Sequence, residues 1–439
     1  MRVMVLPGET MLGALQRGKV NIEAPCGGNG TCGRCEVMIY GIGCVKACQF
    51  RTPGMYEVTV PKQASFDAVA AEELSEKEEV LPDASVLSSS AAVDLGTTTV
   101  VVHSWNKDGE QKEIRFTNPQ RKYGADVMSR IRAEEEGLGK ELQRLIAKPL
   151  AEAAGDSEMI VVAANTTMEH LLEGLSCEGL GKAPFHPKKL DFREVNGAEI
   201  GMNKKNTVLF LPGISAFVGA DIVSGIYALG MSDTDKVSFL VDLGTNGEMA
   251  LGNRNRLLVA SASAGPAFEG SELAQYIYGS GIMRTLRQML EDGAMDETGL
   301  LCDRYFESGY PVQAKGKQLF MTQDTIRAIQ MAKAAIRAGI DILLKEYGIT
   351  EDQVEMVYLA GGMGYYLNPS DAIAIGLLPK EWKGRIQAVG NTSLRGAKAY
   401  LKNPGIARAK MDEIAGAAEE IVLATHPMFE QSYIDGMNF

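Results

Sequence analysis

The sequence predicts an α/β protein of two similar lobes facing each other across a cleft, preceded by a small cysteine-bearing unit. Three observations predict it. "VDLGTTT" at Val93–Thr99 and "VDLGTNG" at Val241–Gly247 share a five-residue core, about 150 residues apart, which is a domain's worth of chain. From Ala91 onward, buried-strand patterns alternate with helical periodicity, the texture of α/β layers. Five of the seven cysteines crowd into Pro25–Phe50, ahead of both copies of the echo.

Residues 1–61 are rich in Gly and Cys and close on "MYEVTVP", an alternating strand pattern. Residues 62–90 are acidic, Ser-rich and weakly apolar, and read as a linker. Residues 91–235 make the first lobe. "AAVDLGTTTVVVHSW" is strand, tight turn, strand; helices are expected around Gly124–Glu135 and Lys140–Ala154; "EMIVVAANTT" and "TVLFLPGIS" are buried strands running into polar turns. Residues 236–439 make the second lobe. It repeats the format in "VSFLVDLGTNGEMALGNRNRLLVASASAGPAFEG", adds the long helix "TIRAIQMAKAAIRAGIDILLKEYG", and ends a buried strand in glycines at "VEMVYLAGGMGYYL". The duplicated strand–turn–strand units are what predict two lobes.

A chain of 439 residues implies two or three domains, and 45% hydrophobic with 23% charged residues is the composition of a soluble globular protein. A net charge of -12 excludes nucleic acid as a main partner, because phosphate backbones want a basic face. No apolar run is long enough to cross a bilayer. The opening "MRVMVLPGETMLGALQRG" has no signal-peptide pattern. The expected compartment is a reducing cytoplasm, where disulfides are rare.

The cysteine corner is therefore read as a metal site. Its spacing is Cys26-x5-Cys32-x2-Cys35, followed by Cys44 and Cys48. Thiolates so spaced hold iron or zinc. Zinc sites usually pair two short Cys-x2-4-Cys or His-x3-5-His units, and here only Cys32 and Cys35 make one. The loop "GGNGT" favours a [2Fe–2S] cluster: Gly27, Gly28 and Gly30 carry no bulk and allow left-handed turns, so backbone N–H groups can aim at sulfide. His103, His170, His186 and His426 are scattered and assigned to no metal; Cys177 and Cys302 are isolated thiols.

The twin loops point to phosphate. Gly96, Thr97 and Thr98 in the first, and Gly244, Thr245, Asn246 and Gly247 in the second, offer backbone N–H groups and side-chain donors to an anion. Asp94 and Asp242 just before them are placed to hold Mg²⁺, directly or through water. Gly361, Gly362 and Gly364 in "LAGGMG" would let adenine and ribose lie close to backbone. Together these predict ATP gripped from two sides.

The cysteine loop resembles the plant- and adrenodoxin-type [2Fe–2S] ferredoxins. That resemblance implies a β-grasp unit with Cys26, Cys32, Cys35 and Cys48 as ligands, "KACQFRTPGMYEVTVP" supplying the fourth. The unit is truncated: twelve residues separate Cys35 from Cys48 where ferredoxins insert a helix-bearing stretch, and the first strand of the usual hairpin is missing. Cys44 stands as the alternative fourth ligand. The loops from Ala91 on resemble the actin and sugar-kinase superfamily (ASKHA). This implies two RNase H-like lobes, each with a five-stranded mixed sheet, and ATP in the cleft, with "VGNTSLRGA" at Val389–Ala397 as the element after the adenosine loop.

A ferredoxin fused to such a module is similar to the reductive activators of corrinoid-dependent enzymes. "NPQRKYGADVMSRI" at Asn118–Ile131, "NTTMEHLLEGL" at Asn165–Leu175, "LPGISAFVGADIVSGI" at Leu211–Ile226 and "ASAGPAFEG" at Ala262–Gly270 carry the likeness. The resemblance implies an ATP-dependent, one-electron reduction of Co(II) to Co(I) in a corrinoid protein, an electron-donor protein as second partner, and a homodimer. Ser261 and Ser263, in "SASAGPAFEG", are the catalytic candidates, with Ser263 preferred as a weak ligand approaching cobalt. The rival readings are a small-molecule kinase, which needs a carboxylate base aimed at a hydroxyl, and an ATP-binding redox sensor or scaffold.

Overall fold

Alternating burial writes the first sheet. The computed structural model describes residues 1–18, 20, 22, 24, 28, 30, 35–60, 89–244, 246–265, 272–314 and 316–439. Strands β1 (Arg2–Val5), β2 (Glu36–Ile39), β3 (Gly43–Lys46) and β4 (Gly54–Thr59) lie in the order β1-β4-β2-β3, all neighbours antiparallel. The helix Met11–Arg17, capped by Thr10 Oγ1 accepting from the Gly13 N–H at 3.0 Å, covers one face. There Met11 and Leu15 pack with Val5, Val37, Ile39 and Val58. The opposite face leaves Met4, Met38 and Met55 exposed. The single strand before the helix pairs with the closing strand, Arg2 opposite Glu57 and Val5 opposite Gly54. The linker expected over residues 62–90 falls almost wholly outside the described residues.

The second sheet holds β5 (Ser90–Leu95), β6 (Thr99–Trp105), β7 (Gln111–Thr117), β8 (Met159–Ala164), β9 (Arg193–Asn196) and β10 (Thr207–Phe210) in the order β7-β6-β5-β8-β10-β9. In the third, β11 (Ser238–Leu243), β12 (Gly247–Asn253) and β13 (Arg256–Ala262) form a meander. A separate hairpin of β14 (Tyr310–Ala314) and β15 (Lys317–Met321) intervenes. Then β16 (Met356–Ala360), β17 (Ile386–Gly390) and β18 (Ala418–Glu420) complete the order β17-β16-β11-β12-β13-β18.

The internal echo is thus a repeat of topology. In each sheet a three-stranded antiparallel meander is followed, beyond its first strand, by two parallel strands: β7-β6-β5-β8-β10 matches β13-β12-β11-β16-β17. Each sheet has six strands rather than the five expected. The sixth is an added edge, β9 antiparallel to β10 in one lobe and β18 parallel to β13 in the other.

The helices after β10 and β17, Ala220–Leu229 and Thr392–Lys402, occupy equivalent places and pack on each other. Glycines set the approach. A Cβ on Gly396 would stand 2.5 Å from Ser224 Cβ and from its carbonyl oxygen, and one on Gly225 would stand 3.0 Å from Thr392 Oγ1. One apolar cluster spans both lobes here, joining Val161, Leu209 and Ile226 to Leu240, Val259 and Leu394. No helix among the described residues is long and apolar enough to cross a membrane.

Candidate functional site

The first loop turns between β5 and β6, where the Gly96 N–H donates to the Thr99 carbonyl at 3.0 Å. A Cβ on Gly96 would stand 2.6 Å from that same oxygen, so the turn requires glycine. Thr97 is buried, and its hydroxyl accepts from Asn165 Nδ2 at 3.0 Å. Asp94 is tied to the other lobe: Asn391 Nδ2 donates to its Oδ2 at 2.7 Å, and Ser393 Oγ to its Oδ1 at 2.8 Å. Both donors belong to the "VGNTSLRGA" element, which makes β17 and the helix after it. Burial raises the Asp94 carboxyl above its ordinary range, and these two hydrogen bonds oppose the rise.

The second loop turns between β11 and β12, with Asp242 opposite Glu248 and Leu243 opposite Gly247. The Gly244 N–H donates to the Asn246 carbonyl at 3.0 Å, and Asn246 Nδ2 to Glu248 Oε1 at 3.1 Å. Thr245 lies outside the described residues. The parallel pairing of β16 with β11 sets Ala360 beside Asp242, so "LAGGMG" begins against this loop. Gly361 has a φ of +82°, and a Cβ there would stand 2.5 Å from Asp242 Oδ1 and 2.6 Å from the Leu243 carbonyl oxygen. Gly361, Gly362 and Gly364 all fall in the short helix Gly361–Tyr366, Gly362 exposed and Gly364 buried. Ser261 pairs with Glu248 and Ala262 with Gly247, which brings exposed Ser263 to the same end of the sheet.

Two carboxylates join this site that the sequence did not single out. Asp221 opens the helix Ala220–Leu229, inside the quoted "VGADIV". Its carboxyl is pushed up to about 7, first by burial and then by the charge of Asp94. Glu248 follows the second loop directly; burial, then Asp221, then Asp242 raise it well above the usual range. Asp94, Asp221, Asp242 and Glu248 thus crowd negative charge from both lobes, and the first, second and fourth resist ionising. A neighbouring acid in "DLGTNGE" was the available signal for Glu248. Asp221 had none beyond its place in a glycine-rich entry to a helix.

Hard oxygen donors of this kind fit Mg²⁺, which keeps several waters and needs one or two carboxylates beside phosphate oxygens. Among the described residues no three His, Cys, Asp or Glu side chains form a metal cage, and Mg²⁺ on a nucleotide requires none.

In the front unit Cys35 and Cys48 are buried together, and the Cys48 N–H donates to Cys35 Sγ at 3.5 Å. Gly28 and Gly30 are tied to the residues around Cys48. Gln49 Nε2 donates to the Gly28 carbonyl at 3.0 Å and reaches Cys48 Sγ at 3.6 Å, while Lys46 Nζ donates to the Gly30 carbonyl at 2.8 Å. Gly28 and Gly30 have φ of +86° and +78°, the left-handed region where glycine is favoured. A Cβ on Gly28 would stand 3.8 Å from Cys48 Cβ. Cys44 instead sits on β3, exposed, with Sγ 3.8 Å from Glu36 Oε2 on the open face of the sheet. Cys26, Cys32 and Gly27 lie outside the described residues. Away from both sites, Cys177 is buried and its thiol is pushed up to about 12, first by burial; Cys302 is half-buried.

Comparison with known proteins adds the kinship. The family described as the RACo middle region matches residues 89–234, and the C-terminal ASKHA domain of RACo matches residues 236–276 and 271–439. The corrinoid activation enzyme RamQ of Eubacterium limosum is 30% identical over 414 residues, covering 78% of this chain and 69% of that protein. The [Co(II) methylated amine-specific corrinoid protein] reductase of Methanosarcina barkeri is 23% identical over 294 residues, covering 53% of this chain and 51% of that protein. The solved structure of a reductive activator for corrinoid, iron–sulfur protein superposes with a TM-score of 0.73 at 24% identity, over 100% of this chain and 98% of that one, and shares the fold. With both lobes matched in order, the chain belongs to the RACo family of reductive activators of corrinoid-dependent enzymes.

Proposed function

We propose that this protein is an ATP-dependent activator that reduces Co(II) to Co(I) in a corrinoid protein, one electron per event. The observation that carries the reading is the tie of Asp94, in the first Asp-Leu-Gly-Thr loop, to Asn391 and Ser393 of the opposite lobe. The names of the relatives, a corrinoid activation enzyme and a Co(II) corrinoid protein reductase, support the substrate.

In this reading Asp94 and Asp242 hold hydrated Mg²⁺ while Gly96, Thr97 and Thr98 on one side and Gly244, Thr245, Asn246 and Gly247 on the other grip the phosphates. Gly361, Gly362 and Gly364 receive the adenosine. Cys26, Cys32, Cys35 and Cys48 would hold a [2Fe–2S] cluster; the paired burial of Cys35 and Cys48, with Gly28 beside Cys48, suits it, and Cys44 is exposed. Such a group supplies single electrons near −400 mV. Cys35 and Cys48 are themselves withdrawn from water, and Gln49 Nε2 would donate to a Cys48 thiolate.

Each ~59 mV by which the cobalt couple lies lower costs a factor of ten in equilibrium, so ATP has work to do. Nucleotide-driven closure of the lobes is the chain's means of acting on the corrinoid protein, prompting loss of an axial cobalt ligand. Ser263, which is exposed, is the candidate for a weak ligand approaching cobalt. An electron-donor protein as second partner and a homodimeric assembly complete the reading.

The test is anaerobic. The protein, a Co(II) corrinoid protein and a chemical reductant are combined with and without MgATP. Co(I) absorbance that appears only with MgATP is the expected result. Reduction at equal rate without nucleotide, or phosphorylation of a metabolite instead, sinks the reading. A nucleotide analogue that resists hydrolysis should support a single round and not repeated ones.

A further inference from the structure

The first phosphate loop is backed by a charge that no carboxylate among the described residues pairs. Arg130, on the helix Val127–Ala133, is fully buried. Its Nη2 donates to the Thr97 carbonyl at 2.5 Å and its Nε to the Gly124 carbonyl at 3.1 Å. Its Nη1 lies 3.4 Å from Gln120 Oε1 and 3.1 Å from Met168 Sδ. All four acceptors are neutral. The acid whose charge reaches it, Asp126, spends both carboxylate oxygens on Ser129, accepting from its N–H and its hydroxyl at 2.8 Å each. Burial pulls the Arg130 guanidinium down to about 9; the charge of Arg121 adds to this and that of Asp126 opposes it.

Asn118 stands beside it, also fully buried. Its Nδ2 donates to the Gly96 carbonyl at 2.9 Å, and its backbone N–H to the Thr98 carbonyl at 2.8 Å. Three successive carbonyls of the loop are thus drawn to one side. In a trans peptide the C=O and N–H of the same unit point in opposite directions. The N–H groups of Thr97 and Thr98 therefore face away from Asn118 and Arg130. Consecutive N–H groups so aligned make a concave cradle for an anion. A hydrogen bond to the carbonyl also polarises the peptide and strengthens its N–H as a donor.

We infer that Arg130 and Asn118 are positioning residues for the triphosphate: they hold the Gly96 and Thr97 carbonyls out of the loop, and the Arg130 charge is answered by the bound phosphate. The inference rests on the nucleotide reading above. A buried guanidinium with neutral partners alone is destabilising. A polyanion arriving on the far side of the same peptide offsets that cost, so the strain of the empty loop becomes affinity.

The test uses the full chain and three proteins: wild type, Arg130→Met and Arg130→Lys. MgATP and, separately, adenosine are titrated against each, and the melting temperature without ligand is recorded. Arg130→Met should bind MgATP at least about tenfold more weakly, the weight of one hydrogen bond to a charged group. It should keep its affinity for adenosine and melt no lower than wild type, since an unpaired buried charge has gone. Arg130→Lys should recover part of the ATP affinity. MgATP binding by Arg130→Met as tight as wild type overturns the inference; so does an equal loss of ATP and adenosine, which assigns Arg130 to packing. Should Arg130→Met not fold, Asn118→Ala, which removes the donor to the Gly96 carbonyl, is read by the same criteria. Failure of the folded wild type to bind MgATP removes the nucleotide reading itself, and this inference with it.

Discussion

Cys44 and Cys48 stand four residues apart and face different surroundings. Cys48 is buried against Cys35, and Cys44 is exposed on the open face. Cys48→Ala should abolish bound iron and visible absorbance in anaerobic preparations, whereas Cys44→Ala should retain both. Iron analysis checks the pair, and the reverse outcome would falsify the ligand assignment. Asp221 makes a second prediction at this scale. Its carboxyl releases a proton near 3.8 when unfolded and at about 7 when folded. The folded state therefore holds the proton more tightly, so this contribution to stability is complete below about pH 4 and is lost as pH rises through 7. Asp94 and Glu248 are shifted in the same direction. Without Mg²⁺ or nucleotide, the protein should melt at lower temperature as pH climbs from 5 to 8, and Asp221→Asn should remove part of that slope. Melting curves of the two proteins with equal slopes would exclude Asp221 as a contributor. Asp94, Asp242 and the glycines were legible in the sequence because a repeated motif marks its own residues. Asp221, Asn391 and Ser393 lie in segments the sequence marked as wholes, but their approach to Asp94 is tertiary, and spacing along the chain does not single them out.

The elements follow their local signals where caps are explicit. The helix Gln323–Tyr347 starts where Thr322 Oγ1 accepts from the Thr325 N–H at 3.3 Å and ends at Gly348, whose φ is +84°. Nothing crowds Gly348, so Gly348→Ala tests backbone strain alone; it should cost about 1 kcal/mol in denaturant unfolding. A value near zero would mean that the helix end simply rearranges. Elsewhere the periodic pattern misplaced boundaries. A helix was expected around Gly124–Glu135. The chain instead makes a 3-10 turn over Pro119–Tyr123, breaks at Gly124 with a φ of +151°, and restarts at Val127 under the Asp126 cap. A wide π turn follows over Glu134–Leu138, with Gly137 at +91°. Apolar spacing reports a helical face and is blind to such punctuation. The break is what delivers Asn118 and Arg130 to the same loop from opposite sides of a glycine.

At the scale of the molecule, the two lobes were legible because both copies of the echo fall at the same place in the same strand order. The sixth strand of each sheet was not, since Arg193–Asn196 and Ala418–Glu420 are only four and three residues long and carry little pattern. The crossing of the helices Ala220–Leu229 and Thr392–Lys402 is a close-packed seam between the lobes. Gly396→Ala would press a methyl against the Ser224 carbonyl oxygen and Cβ and force the helices apart. Overpacking of this kind typically costs about 1–3 kcal/mol. It should also weaken ATP binding, because Asn391 and Ser393 ride on the displaced element. Calorimetry on the variant checks both effects; a variant destabilised yet binding ATP normally would uncouple the crossing from the cleft. The open-faced position of Cys44 has a practical corollary. It is the exposed thiol among the described cysteines, so a maleimide fluorophore should attach there ahead of Cys35, Cys48 or Cys177. Paired with a dye on the nucleotide, it becomes a ruler for the distance between the front unit and the nucleotide.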